Sequence, residues 1–192
     1  MIKAIIFDCF GVLVQGSLGA FIHKHFHDNP EARQRVDELN RMANLGYIDY
    51  KQFVDGVAEL ARMSWEQTNK ELDQTPANVE LFTYIREQLK PTYKIGMLSN
   101  AADDWLDELF TPEQVAVFDD VVLSYRSGMA KPDKAIYRLS SENLDVQENE
   151  CVFIDDVEMF CEAARSVGMK AICFHDVEQL RRDLDKILTS AK

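Results

Sequence analysis

The sequence predicts an α/β fold, a mostly parallel sheet with helices on both faces, carrying an all-helical insertion after its first strand. Three observations predict it. Short apolar runs rich in β-branched residues recur at residues 2–8, 93–98, 121–123, 150–154 and 170–174, as expected of strands buried on both faces of a parallel sheet. In the second half, stretches of helical spacing separate these runs, the alternation that builds βαβ crossovers. Residues 16–75 break the rhythm, with no convincing strand and with apolar positions at helical spacing.

Element by element, residues 2–8 (Ile-Lys-Ala-Ile-Ile-Phe-Asp) make the first buried strand. The insertion follows, with Val36, Leu39 and Met42-Ala43, then Phe53, Val57 and Leu60-Ala61, each set marking one helix face. Pro76 marks the return to the core, and residues 79–89 the first core helix. After the second strand, Asp103-Asp104 precede Trp105, Leu106, Leu109 and Phe110 as a helix start. Pro132-Asp133 begin another helix that carries Ile136, Tyr137 and Leu139. Residues 157–167 end at Gly168, a natural helix stop, and residues 176–188 form a last amphipathic helix. The expected organisation is a three-layer, Rossmann-like core of residues 1–15 and 76–192 with a helical cap of residues 16–75.

Composition narrows the function. With 192 residues there is room for one core and an insertion, not two large domains. Acidic side chains outnumber basic ones 33 to 21, giving a net charge of -12, which disfavours nonspecific binding to nucleic acid or anionic membranes. No apolar run approaches the roughly 18 residues of a membrane span. A soluble, cytoplasmic protein is expected, without nucleic-acid or membrane partners. Cys9, Cys151, Cys161 and Cys173 form no C-x-x-C pair and read as reduced structural thiols.

In open α/β sheets ligands bind outside the carboxyl ends of the strands, so the polar residues that follow the apolar runs are the site candidates. They are Asp8, Ser99-Asn100, Asp155-Asp156 and, in the loop after the third run, Lys131. Several carboxylates in a small volume call for a hard divalent cation such as Mg²⁺. The set then suits phosphate, with Asp8 as nucleophile, Ser99 and Lys131 on the non-bridging oxygens, and the metal offsetting transition-state charge.

Residues 7–13 (Phe-Asp-Cys-Phe-Gly-Val-Leu), Leu98-Ser99-Asn100, Lys131-Pro132 and Ile154-Asp155-Asp156, in that order, resemble the four motifs of the haloacid dehalogenase superfamily of hydrolases. The likeness spans the core, about two-thirds of the chain. Residues 128–133 and Gly168-Met169 resemble the subgroup with a small helical cap. The resemblance implies that Asp8 forms an aspartyl-phosphate, that Ser99 binds the phosphate, that Asn100 helps orient the phosphate or Asp8, and that Lys131 balances nucleophile and substrate charge. It places Mg²⁺ on Asp156, the Asp8 carboxylate and the Phe10 backbone carbonyl, with Asp155 as a further ligand or support. The activity implied is Mg²⁺-dependent hydrolysis of a small phosphorylated metabolite.

One position departs from the pattern. Phosphatases of this superfamily carry a second Asp two residues after the nucleophile as general acid and base, and here that residue is Phe10. Acid-base help of this kind is worth about 10² to 10⁴ in rate. The departure opens two alternatives: a 2-haloacid dehalogenase, whose aspartate attacks carbon without a metal, and a weak or inactive metal- or partner-binding relative. The pair Asp155-Asp156 speaks against dehalogenation, for which Ser-Ser-Asn is expected there. His23, His25 and His27 alternate and share no helix face; in a loop over the site one of them would be a candidate acid. Tyr125 and Arg126 are candidates for the cavity wall, and Tyr47, Tyr50 and Phe53 for a cleft between cap and core.

Overall fold

The computed structural model describes residues 1–73 and 76–190. The predicted end of the insertion, Thr75, lies outside the described residues. Five strands, β1 (Ala4–Phe7), β2 (Lys94–Ser99), β3 (Asp120–Leu123), β4 (Cys151–Asp155) and β5 (Lys170–Cys173), form one parallel sheet in the order β3-β2-β1-β4-β5. Each coincides with a predicted apolar run. β1 is buried along its whole length, and its register pairs Phe7 with Met97 on one side and Ile154 on the other. The chain reverses its direction of travel across the sheet at this central strand, which opens a crevice at the carboxyl ends of β1 and β4.

Between β1 and β2 run four helices, α1 (Leu18–Phe26), α2 (Pro30–Asn44), α3 (Tyr50–Ala61) and α4 (Trp65–Leu72), followed by α5 (Val79–Tyr84), which continues as one wider turn through Ile85–Leu89. The caps explain the boundaries. Asn29 and Ser64 accept backbone N–H groups at the starts of α2 and α4, and Asp49 forms a reciprocal capping box with Gln52. Phe21, Phe26, Val36, Phe53, Val54 and Val57 close a hydrophobic cluster of their own. The insertion leaves and rejoins the core on adjacent segments: Val14 bridges Ala77, and the Asn78 N–H donates to the Leu13 carbonyl at 2.8 Å.

After β2 the helix expected to follow Asp103-Asp104 is the single turn α6 (Leu106–Leu109), with α7 (Pro112–Val115) behind it. The Asp103 and Asp104 carboxylates accept the N–H groups of Asp104 and Leu106, which holds the backbone out of helix there. Next come α8 (Ser124–Ser127), α9 (Lys134–Asn143), α10 (Glu158–Ser166) and α11 (Val177–Ser190). Leu81 of α5 and Leu180 and Leu184 of α11 pack with Ile5, Phe7 and Met97 on one sheet face. Ile136 and Tyr137 of α9 and Ala164 of α10 pack with Ala4, Ile6 and Phe153 on the other. Alternate residues of β1 thus feed two cores, the three-layer arrangement the sequence predicts. Among the described residues no helix is long and apolar enough to cross a membrane.

Asp119, at the foot of β3, is a structural carboxylate. It accepts the Ile95 N–H at 2.7 Å and pairs with Lys90 at 2.6 Å. Burial alone pushes this carboxyl up, but the Lys90 and Ile95 hydrogen bonds more than reverse it, leaving it below its ordinary value. A depressed folded-state value means stabilisation that is present above the unfolded value near 3.9 and lost as pH falls through the folded one. Asp119→Ala is expected to cost about 1 to 2 kcal/mol at pH 7. Urea melts at pH 7 and pH 3 check this, with the gap between variant and wild type narrowing at the lower pH.

Candidate active site

The site grows out of the ends of β1 and β4. The Asp8 N–H donates to the Ile154 carbonyl at 2.8 Å, extending the ladder by one residue and setting Asp8 beside Asp155. Both carboxylates are buried, and Lys131 lies between them, its Nζ 2.7 Å from Asp8 Oδ1 and 2.6 Å from Asp155 Oδ2. The ammonium also rests against the Phe153 and Phe160 rings, 5.5 and 4.9 Å from their centroids, so aromatic faces supply part of its solvation. The second Asp155 oxygen accepts the Val157 N–H at 2.9 Å, which fixes the turn into α10.

Asn100 explains how a loop lysine is brought to this point. Its side-chain Oδ1 accepts the Lys131 N–H at 2.8 Å and its Nδ2 donates to the Lys131 carbonyl at 3.0 Å. Asn100, expected to help orient the phosphate or Asp8, holds the Lys131 backbone and also lines the cavity. Ser99 is fully buried at the end of β2, its hydroxyl 3.3 Å from the Asn100 carbonyl. Ser124, absent from the sequence reasoning, accepts the Ala101 N–H at 3.0 Å and donates to the Asn44 carbonyl of α2 at 2.5 Å. It thereby ties the helical insertion to the loop that carries Asn100.

One carboxylate oxygen each from Asp8, Asp155 and Asp156 lie within 4.8 Å of one another. Asp156 is held by contact with Gly11, whose φ is +96° and whose hypothetical Cβ would fall 2.3 Å from Asp156 Oδ2. The loop from Asp8 to Val14 closes on itself, with the N–H groups of Leu13 and Val14 donating to the Cys9 carbonyl and that of Gly11 to the Val14 carbonyl. The Phe10 carbonyl accepts none of these bonds, so it stays available as a ligand. Three carboxylates and a free carbonyl against one lysine are a hard-oxygen donor set with excess negative charge, and it fits a divalent cation such as Mg²⁺.

The electrostatics agree with that excess. Burial pushes the Asp8 carboxyl up to about 7, with Lys131 pulling it down and Asp155 raising it further. Asp156 is raised by burial and by Asp155. Burial pulls Lys131 down, but Asp8 and Asp155 more than reverse it and keep the ammonium charged.

A cavity of about 530 Å³ opens onto Asp8, Lys131 and Asp156 beneath the helical insertion. Phe10 lines it, its ring edge-on to Trp105 at 5.0 Å. Tyr50 and Phe53 line it as expected, whereas Tyr47 is 73% exposed and stands outside. Arg126 is tied to Asp104 and to the Tyr125 hydroxyl and is not part of the wall. None of His23, His25 and His27 reaches the cavity. His25 is bonded to Glu71 at 2.8 Å and stacks on Phe21, which accounts for it structurally. Asp73, Asp103 and Glu108 do line the wall; sequence reasoning treated Asp103 as a helix cap and gave the other two no role.

Comparison with known proteins places the chain in a family. The profile of the haloacid dehalogenase-like hydrolase family matches residues 2–168. Bifunctional epoxide hydrolase 2 of Sus scrofa is 41% identical over 70 residues, 36% of this chain and 13% of that protein. A phosphatase of Mycobacterium tuberculosis is 39% identical over 110 residues, 55% of this chain and 50% of that one. The matched stretches thus span half or less of these curated relatives. Among solved structures, a HAD family enzyme from Bacteroides thetaiotaomicron, in complex with magnesium and inorganic phosphate, superposes with a TM-score of 0.75 at 24% identity, covering 94% of this chain and 99% of that one.

Proposed function

The chain belongs to the haloacid dehalogenase-like hydrolase family, and we propose that within it this protein is a Mg²⁺-dependent phosphatase acting on a small phosphate monoester through Asp8. The observation that carries the reading is the convergence of Asp8, Asp155 and Asp156 on one point with Lys131 bridging the first two. The relative named a phosphatase and the fold neighbour solved with magnesium and phosphate support it.

Asp8 attacks phosphorus, the bond to the ester oxygen breaks, that oxygen takes a proton from solvent water to leave as the alcohol, and an aspartyl-phosphate forms; water then attacks that phosphorus, gives its proton to solvent, and phosphate leaves with Asp8 restored. Lys131 holds one Asp8 oxygen and so fixes the direction of the other, while its charge offsets the anionic transition state. Asn100 acts through Lys131 and is a positioning residue. Ser99 is fully buried behind Asn100 and is not among the residues lining the cavity, so its hydroxyl meets phosphate only by turning away from the Asn100 carbonyl. Asp156, Asp8 and the Phe10 carbonyl, with Asp155 beside them, would hold Mg²⁺, which would supply neutralisation of phosphoryl charge. The helical insertion covers the cavity and limits both water and substrate size.

Phe10 donates no proton, and its packing on Trp105 makes the wall there apolar. This favours a second reading, attack of Asp8 on carbon with halide release. The acidic triad and the absence of an arginine among the described wall residues weigh against a carboxylate-bearing haloacid. The test is release of phosphate from a panel of small monoesters, with Mg²⁺ and with EDTA, beside halide release from 2-haloacids. Metal-dependent phosphate release is expected; halide release without metal replaces this reading with the second.

Gly11 provides a further check. In Gly11→Ala the new Cβ overlaps the Asp156 carboxylate and the backbone keeps a left-handed φ. Moving a metal ligand aside is expected to weaken Mg²⁺ by about 10- to 100-fold, measured as the half-saturating Mg²⁺ concentration. An unchanged value contradicts the placement of Asp156 at the metal.

A further inference from the structure

Resting on the phosphatase reading, we propose that Asn40 and Asn44 of the helical insertion bind the leaving group of the ester, and that this group carries neutral hydroxyls within their reach. The two residues stand four apart on α2, and both line the cavity that opens onto Asp8 and Lys131. That spacing sets their side chains beside each other on one helix face. Elsewhere α2 presents charge to solvent, with Glu31, Arg35, Asp37, Glu38 and Arg41 exposed. The cavity-facing pair is neutral and half-buried. Among the described residues neither side chain has a hydrogen-bond partner in the protein. Each amide carries two N–H donors and a carbonyl acceptor, which the fold leaves unused. Asparagine is also a poor helix former, and neither side chain repays this by capping, since the Leu45 N–H closes the end of α2 on backbone carbonyls.

A chain of contacts fixes this pair relative to the reacting groups. β2 lies beside β1 with Met97 opposite Phe7, so the loop after β2 leaves the sheet next to Asp8. In that loop Asn100 holds the Lys131 backbone through both its amide atoms. The next residue, Ala101, donates its N–H to Ser124 Oγ at 3.0 Å, and Ser124 Oγ donates to the Asn44 carbonyl at 2.5 Å. The last turn of α2 is therefore seated on the residue that follows Asn100, with Asn44 at this anchored end and Asn40 about 6 Å further along the helix. Hydroxyls match such a pair, because each donates to an amide carbonyl and accepts from an amide N–H. An alkyl leaving group of the same size leaves both amides unpaired, and a site built to hydrogen-bond hydroxyls penalises the analogue that lacks them. Two hydroxyls on adjacent carbons, as in glycerol phosphate, suit two amides on successive turns.

The experiment measures binding of two nonhydrolysable probes of equal chain length, 3,4-dihydroxybutylphosphonate and butylphosphonate, to the full chain by calorimetry with Mg²⁺ present. The probes differ only in the hydroxyls. The dihydroxy probe is expected to bind about tenfold more tightly. Asn40→Ala and Asn44→Ala are each expected to lower that ratio, and the double variant to bring it to about one. Alanine is the better helix former, so the variants keep the fold, which thermal melts check. Equal or tighter binding of butylphosphonate overturns the inference, as does failure of both probes to bind, or a ratio the double variant leaves intact. Phosphate release from glycerol phosphate and from propyl phosphate, measured on the same preparation, keeps the two readings separable. Release with no preference for glycerol phosphate overturns the hydroxyl inference alone. No release from any monoester of the panel overturns the phosphatase reading, while the phosphonate ratio still decides the hydroxyl preference.

Discussion

In the Asp8→Asn variant, phosphate release falls on the order of 10⁴-fold or more, because the neutral amide lacks the carboxylate's charge and is too weak a nucleophile to form an acyl-phosphate. The fold survives. Lys131 keeps Asp155 as its partner, and the substitution removes a buried carboxyl that burial holds at about 7. An acid whose folded-state value is raised costs stability as pH climbs from its unfolded value of 3.8 towards the folded one. In EDTA the variant therefore gains on the wild type between about pH 4 and pH 7, and thermal melts across that range measure the gain. Loss of activity with retained or increased stability separates a nucleophile from a structural aspartate.

Lys131→Met has the opposite signature, losing activity and stability together. It leaves Asp8 and Asp155, both buried, without their counter-charge, and breaking a buried pair by removing one partner costs about 3 to 5 kcal/mol. For a chain of this length that corresponds to a fall in Tm of roughly 10 °C. Adding Asp8→Asn to Lys131→Met should recover part of the loss by removing one of the stranded carboxyls. A thermal melt in EDTA checks both, and an unchanged Tm in the single variant contradicts the buried triad.

These two expectations rest on residues that were visible in the sequence, and there is a physical reason. A strand buried on both faces must be a short apolar run, so the polar residue that ends it marks both the strand's carboxyl end and the rim of the sheet. Asp8, Ser99 and Asp155-Asp156 announced themselves in this way. Lys131 needed the motif order, since nothing local to a loop lysine shows that Asn100 will hold its backbone. The helical insertion was legible from the spacing of Val36, Leu39, Phe53 and Val57, all partly or fully buried in its own cluster.

What the sequence hid depends on contacts between distant segments. Asp73 and Glu108 are exposed acids in the structure too, and that they border one cavity is evident only once the insertion and α6 are placed together. Ser124 meets Asn44 across 80 residues, a separation no local pattern encodes. One of His23, His25 and His27 is a candidate acid only in a loop over the site, and the structure folds that segment as α1, with His25 bonded to Glu71 of another helix.

The central claim is that Asp8 becomes phosphorylated during turnover. The most direct measurement is acid-quenched turnover of a releasing ester with Mg²⁺, followed by mass spectrometry of the peptide that contains Asp8. The account predicts a phosphoryl adduct on Asp8 that is absent in EDTA and in Asp8→Asn. Steady phosphate release with no adduct on Asp8 at any quench time, or with the adduct on another residue, would contradict it.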